Sequence, residues 1–186
     1  MEKIKGLLWF GMVALGLALA QAPKVDGKIA AGEYAKSYKH EKSGITLYWS
    51  IVGDTLYLAL EGESKGWIGV GFLSEKTNKK QGADQYLFYL EGGKLVALDM
   101  YQTKRTGAPV PDDKEGGKNS ILASAATYEG GRWSVEWSRK LKTGEPTDVD
   151  LAAGRKLILL LAHAEKMDPK EEHKKTERWY VEDFAF

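Results

Sequence analysis

From Ile45 onward the apolar residues recur with period two rather than 3.6, and this regularity limits the chain to a β architecture. In ITLYWSI, residues Ile45, Leu47, Trp49 and Ile51 fall on one face of an extended segment; after the turn VGD, Leu56, Leu58 and Leu60 do the same in TLYLALE. Further runs follow in WIGVGF, DQYLFYLE, KLVALDMY, ILASAATY, RWSVEWS, KLILLLAH and RWYVEDF, with Gly92-Gly93 and Gly130-Gly131 as hairpin turns. KLILLLAH is apolar on both faces, as a central strand covered on both sides requires. Roughly nine strands with little helical periodicity predict an antiparallel β-sandwich. Trp49, Trp133 and Trp137 have the parity of core residues. The terminal Phe186 is also a mark of outer-membrane barrels, but LILLLA has no polar face to line a lumen.

The first residues address the chain. Lys3 and Lys5 precede an uncharged run from Gly6 that ends in Ala18-Leu19-Ala20, which reads as a secretory signal peptide cleaved after Ala20. Residues 21–186 then form one β-sandwich domain, periplasmic or secreted. Without residues 1–20, basic and acidic residues balance, so nothing supplies the basic field that nucleic acid demands. No later segment is long and apolar enough to span a membrane. The absence of cysteine excludes disulfides, thiolate metal sites and a cysteine nucleophile, leaving packing and strand pairing to hold the fold.

Signatures of common catalysis are missing, including a zinc HExxH helix, a GxSxG elbow and a phosphate-binding loop, which favours a non-catalytic binding domain. Between Gln102 and Ser120 the chain is polar and rich in proline and glycine, which predicts a long exposed loop. The clusters PDDKEGG and TDVD could hold calcium, but neither has the spaced oxygen ligands of a dedicated loop, and both read as solvated turns.

Two features suggest a ligand. The strand WIGVGF carries Ile68, Val70 and Phe72 on one face and Trp67, Gly69 and Gly71 on the other. Glycines at alternate strand positions imply either close sheet packing or a flat ligand lying against a bare face, with Trp67 as an aromatic wall. Of the three histidines, His40 lies among charges, and His163 marks where the most apolar strand leaves the core. His173 sits in the loop PKEEHKKTER, which joins that strand to the last one and lies over one mouth of the sandwich, where a ligand could enter between the sheets. Met100 alternates with Leu98 and reads as core, whereas Met167 lies beyond His163 within reach of a pocket.

In order along the chain, VDGKIAAGEY, KGWIGVGF, GAD, LDMY, GGKNSI and RKLKTGEPTDVDLAAG resemble the pattern of bacterial DOMON domains. The resemblance implies an exported β-sandwich that binds haem b or a sugar, and a part in electron transfer with a membrane cytochrome or another redox partner. In haem-binding relatives the iron is held by a methionine just before GAD and by a histidine after the last core strand. The histidine carries over onto His173. The methionine does not, because Lys80 stands two residues before Gly82. A lysine ligates only as the free amine, which costs roughly 4 to 5 kcal/mol at neutral pH from a pKa of about 10.4. The candidates for iron are therefore His173 and Lys80, with Met167 and His163 nearby. The alternative is a sugar-binding module using Trp67, Trp179 and neighbouring tyrosines as stacking platforms.

Overall fold

Every alternating run forms a strand in the computed structural model of the protein, which describes residues 21–74, 79–170, 172–174 and 177–186. The leader predicted for residues 1–20 lies outside the described residues. The strands are β1 (Lys36–His40), β2 (Ile45–Val52), β3 (Thr55–Glu63), β4 (Ile68–Leu73), β5 (Asp84–Glu91), β6 (Lys94–Tyr101), β7 (Val110–Pro111), β8 (Ala123–Glu129), β9 (Arg132–Lys140), β10 (Lys156–His163) and β11 (Arg178–Ala185). Sequence periodicity misses β1 and β7 because both are edge strands without an apolar face: β1 reads KSYKH, and β7 is a two-residue pairing that includes Pro111. Charge and proline at an edge also discourage pairing with another chain.

The strands form two antiparallel sheets, ordered β1-β2-β3-β9-β8 and β11-β10-β4-β5-β6-β7. Among the described residues no helix is long and apolar enough to cross a membrane. The inward faces of β2, β3, β4 and β9 are those the alternation predicts, whereas on β6 Leu98 and Met100 turn outward. Leu47, Leu58, Trp133 and Trp137 from one sheet meet Ile68, Phe72, Phe88 and Leu159 from the other in one buried cluster. Trp137 and Phe88 touch across the gap with ring centroids 4.9 Å apart, and Phe186 packs on Phe72 at 5.2 Å. Each such side chain contributes roughly 1.5–3 kcal/mol on burial.

The opening segment is tied to this frame by one carboxylate. Glu136 Oε2 accepts hydrogen bonds from the backbone N–H groups of Asp26, Gly27 and Lys28 at 3.0, 2.6 and 3.1 Å, and Oε1 accepts one from the Tyr34 hydroxyl at 2.8 Å. Gly27 is required there, since its φ is +85° and a Cβ would lie 2.7 Å from the backbone of Ala126.

Most of the segment from Gln102 to Ser120 is exposed, as expected of it, but the fold anchors it at several points. Gln102 is buried and its Nε2 donates to the Lys104 carbonyl at 2.7 Å; Val110 and Pro111 pair with β6; Asp112 is buried; and Ser120 donates to Asp99. These anchors are long-range hydrogen bonds and a strand pairing, which composition does not carry.

Candidate ligand-binding site

Strand register places the two glycines at the centre of one sheet face. Gly71 pairs with Gln85 on β5 and Leu160 on β10, and Gly69 pairs with Leu87 and Ala162. Directly paired residues share a face, so this face continues through Met100, opposite Gln85, and Tyr180, opposite Leu160. It is the side of the six-stranded sheet turned away from the core. A cavity of about 570 Å³ lies over it, walled by Lys79 and Lys80, by residues 105–109, and by Pro169, Lys170, Glu172 and His173 of the β10–β11 loop.

The ligand space is therefore outside the sandwich and not between its sheets, where the aromatic residues of both inner faces already fill the gap. The bare face does not meet the other sheet, so sheet-to-sheet packing does not account for it; neighbours within its own sheet crowd it, and it lines the cavity. A Cβ on Gly71 would lie 2.7 Å from Gln85 Cγ and 3.3 Å from Leu160 Cδ1, and one on Gly69 would lie 3.0 Å from the Tyr86 carbonyl oxygen. Gln85 and Leu160 lean over Gly71, the Tyr86 backbone and Trp67 flank Gly69, and Leu87 and Leu160 complete an apolar floor.

Five of the residues singled out in the sequence meet here: Trp67, Gly69, Gly71, Lys80 and His173 all line the cavity. Trp67 is 6% exposed, and its ring meets that of His173 edge to face at 6.2 Å. His173 Nδ1 lies 3.3 Å from the Lys174 carbonyl oxygen. Burial pushes the His173 imidazole below its usual pKa, and the charges of Lys80 and Arg178 add to the shift. Lys80 is also pushed down, by burial first and then by Arg178, against an opposing pull from Glu172. Both side chains are thus biased toward the neutral, lone-pair-bearing form that can bind a metal.

His163 and Met167 are not among the lining residues. His163 pairs with Ile68, so it belongs to the inward face of β10, and its half-buried ring lies 5.4 Å from that of Trp179. Met167 packs partly buried against the core and against the Trp67 cluster. His40 also lies beside Trp179, at 5.9 Å. Trp179 itself lines the cavity, as does Met100, which joins Trp67, Leu87 and Tyr89 in a second apolar cluster rather than the main core.

Sequence reading missed the wall formed by residues 105–109 and the cations Arg105, Lys170 and Arg178 beside the cavity. The one available sign was that two polar loops each carry basic residues; only the fold brings them to the same opening.

The family model described as DOMON domain matches residues 41–164. The chain belongs to the DOMON family. The matched span of this DOMON domain contains β2 to β10, the floor of the cavity and Lys80; His173 lies just beyond it. Among solved structures, the chain resembles the cytochrome b domain of pyranose dehydrogenase from Coprinopsis cinerea, with TM-score 0.51 and 13% identity over 78% of this chain and 80% of that one. It also resembles the cytochrome domain of Myriococcum thermophilum cellobiose dehydrogenase, with TM-score 0.50 and 11% identity over 79% of this chain and 87% of that one. At such identities the likeness is one of fold. Among curated proteins, none matches the chain.

Proposed function

We propose that this DOMON domain is an exported, non-catalytic haem-binding protein of b type that passes electrons to or from a membrane cytochrome or another redox protein. The observation that carries the reading is His173, an imidazole biased toward neutrality at the wall of a cavity with an apolar floor. The residues suit the group. The floor of Leu87, Leu160, Gly69 and Gly71 suits a planar apolar ring, and Lys79, Arg105, Lys170 and Arg178 around the cavity could pair with its two carboxylates. Two similar folds are cytochrome domains, which agrees with this reading.

Bound haem would supply one-electron chemistry at iron. His173 would donate a nitrogen to that iron, with Trp67 beside its ring. The second donor would come from Lys80 or from Met100, which lines the same cavity. Lys80 gains from its surroundings, because burial and Arg178 have already weakened its hold on a proton. Trp67 suits the sugar-binding alternative poorly, since it is nearly buried and turned edge-on to His173.

Titration of the purified protein with haem tests the proposal. A Soret band saturating at one haem per chain, lost or turned high-spin in His173→Ala and kept in His40→Ala, is the expected result. A wild type that takes up no haem sinks it. For export, the secreted protein is expected to begin at Gln21 by intact mass.

A further inference from the structure

The two acidic turns PDDKEGG and TDVD meet inside the molecule. Asp112 from the first and Asp148 from the second join Asp84 on β5 and Asp99 on β6 around Arg139 of β9. Asp84, Asp99 and Asp112 are 1%, 3% and 1% exposed, and the Asp148 side chain is 1% exposed. The expected solvated turns form except at one residue each: Asp113, Glu115 and Asp150 stay at the surface, while Asp112 and Asp148 turn inward, where three of the four carboxylates are held by protein donors and all four are shut from water.

Three of these groups use one oxygen and leave the other. Asp84 Oδ2 accepts from Arg139 Nη1 at 2.6 Å and from the Val149 N–H at 3.0 Å. Asp99 Oδ2 accepts from the Ser120 N–H at 2.7 Å and its hydroxyl at 2.6 Å, and Asp112 Oδ2 accepts from the Thr147 hydroxyl at 2.6 Å. The Oδ1 atoms of Asp84, Asp99 and Asp112 and both oxygens of Asp148 are buried with no hydrogen-bond donor among the described residues. Asp148 faces Arg139 Nη2 at 3.7 Å and lies against the carboxyl of Asp112. One oxygen from each of Asp84, Asp99 and Asp148 lies within 4.8 Å of the other two.

A buried carboxylate without a partner is costly, and Arg139 is one positive charge among four of them. Donors that are all oxygen, with neither imidazole nor thiolate, select a hard cation, and oxygens at 2.3–2.6 Å from a shared calcium can be at most about 5 Å apart. We propose that Asp84, Asp99 and Asp148 bind one calcium ion, with Asp112 completing the acidic shell. The ion would brace the segment that carries residues 105–109 against the β9–β10 connection, coupling metal to the cavity wall. In its absence, burial and the neighbouring carboxylates push Asp84 up to about 7 and Asp112 up to about 8, even though Arg139 opposes the first shift and Thr147 the second. The site faces away from the cavity, so it stands whether or not haem binds.

The test uses calcium alone, on purified protein first stripped with chelator. After equilibrium dialysis, metal analysis is expected to find about one calcium per chain, and Tm at pH 8 is expected to rise by roughly 5–10 °C when calcium is about 100-fold above its Kd. Asp148→Asn should lose both responses, and Asp113→Asn, at the exposed neighbour of Asp112, should keep both. Wild-type protein that retains no calcium and melts identically in calcium and chelator overturns the proposal. So does an equal rise in potassium chloride at matched ionic strength.

Discussion

The rings of Trp67 and His173 meet edge to face at 6.2 Å, although one residue precedes β4 and the other lies on the loop before β11. The contact joins two residues that both line the cavity. Trp67 is also nearly buried, so the two ligand classes suggested by the sequence compete for the same residues.

The second iron ligand can be read from the reduction potential. Lys80→Met is expected to raise it, because a neutral thioether favours ferrous iron more than an amine does. Met100→Leu should leave it unchanged if Lys80 is the ligand. A large drop in Met100→Leu, with Lys80→Met silent, would move the assignment to Met100. Potentiometric titration followed at the Soret band measures both.

Filling the floor should separate binding from folding. In Gly71→Leu the new side chain meets Gln85 Cγ and Leu160 Cδ1 and must turn into the cavity. Haem affinity is expected to fall at least about tenfold, with a stability loss of about 1–3 kcal/mol typical of overpacking. Isothermal titration alongside urea denaturation checks this. Unchanged affinity would mean that the ring does not lie on this face.

Arg139→Met should be among the most damaging single changes in the protein. Its side chain is fully buried, donates to Asp84 and Tyr86 at 2.6 Å each, and is the cation nearest the acidic cluster. Removing one partner of such a group costs about 3–5 kcal/mol. Urea midpoints should show that loss, made smaller by calcium if the ion takes over part of the compensation.

In chelator, stability should decline as pH rises. Burial raises the carboxyl pKa values of Asp84, Asp99 and Asp112 in the folded state above the ordinary aspartate value of 3.8, to about 7 for Asp84 and about 8 for Asp112. A raised folded pKa gives stability that is present below the unfolded pKa and lost as pH climbs through the folded one, so the decline spans pH 4 to 8. Asp148, Arg139 and Tyr86 are the other charged or titratable groups packed around these carboxylates. Denaturation midpoints at steps across this range, with and without calcium, check the sign; a flat or rising profile in chelator contradicts it.

Alternation by itself determined most of the strands and, for β2, β3, β4 and β9, the side turned inward. Leu47, Leu58, Trp133, Trp137 and Phe72 are core residues for the same reason that they recur at even spacing: strand geometry alternates sides residue by residue, and that is a local property. The DOMON pattern, and His173 as a candidate, were legible for similar reasons, since motifs in order along a chain survive without knowledge of pairing. What lies over a face is not local. Gly69 and Gly71 could show that a face was bare, but only the order β11-β10-β4-β5-β6-β7 decided that it was the outer one, and only the fold brought residues 105–109 and His173 over it. The same holds for Asp84, Asp99, Asp112 and Asp148. Sequence alone makes each a plausible surface acid. Long-range packing around Arg139 buries them together, where repulsion and desolvation give them a chemistry that none has alone.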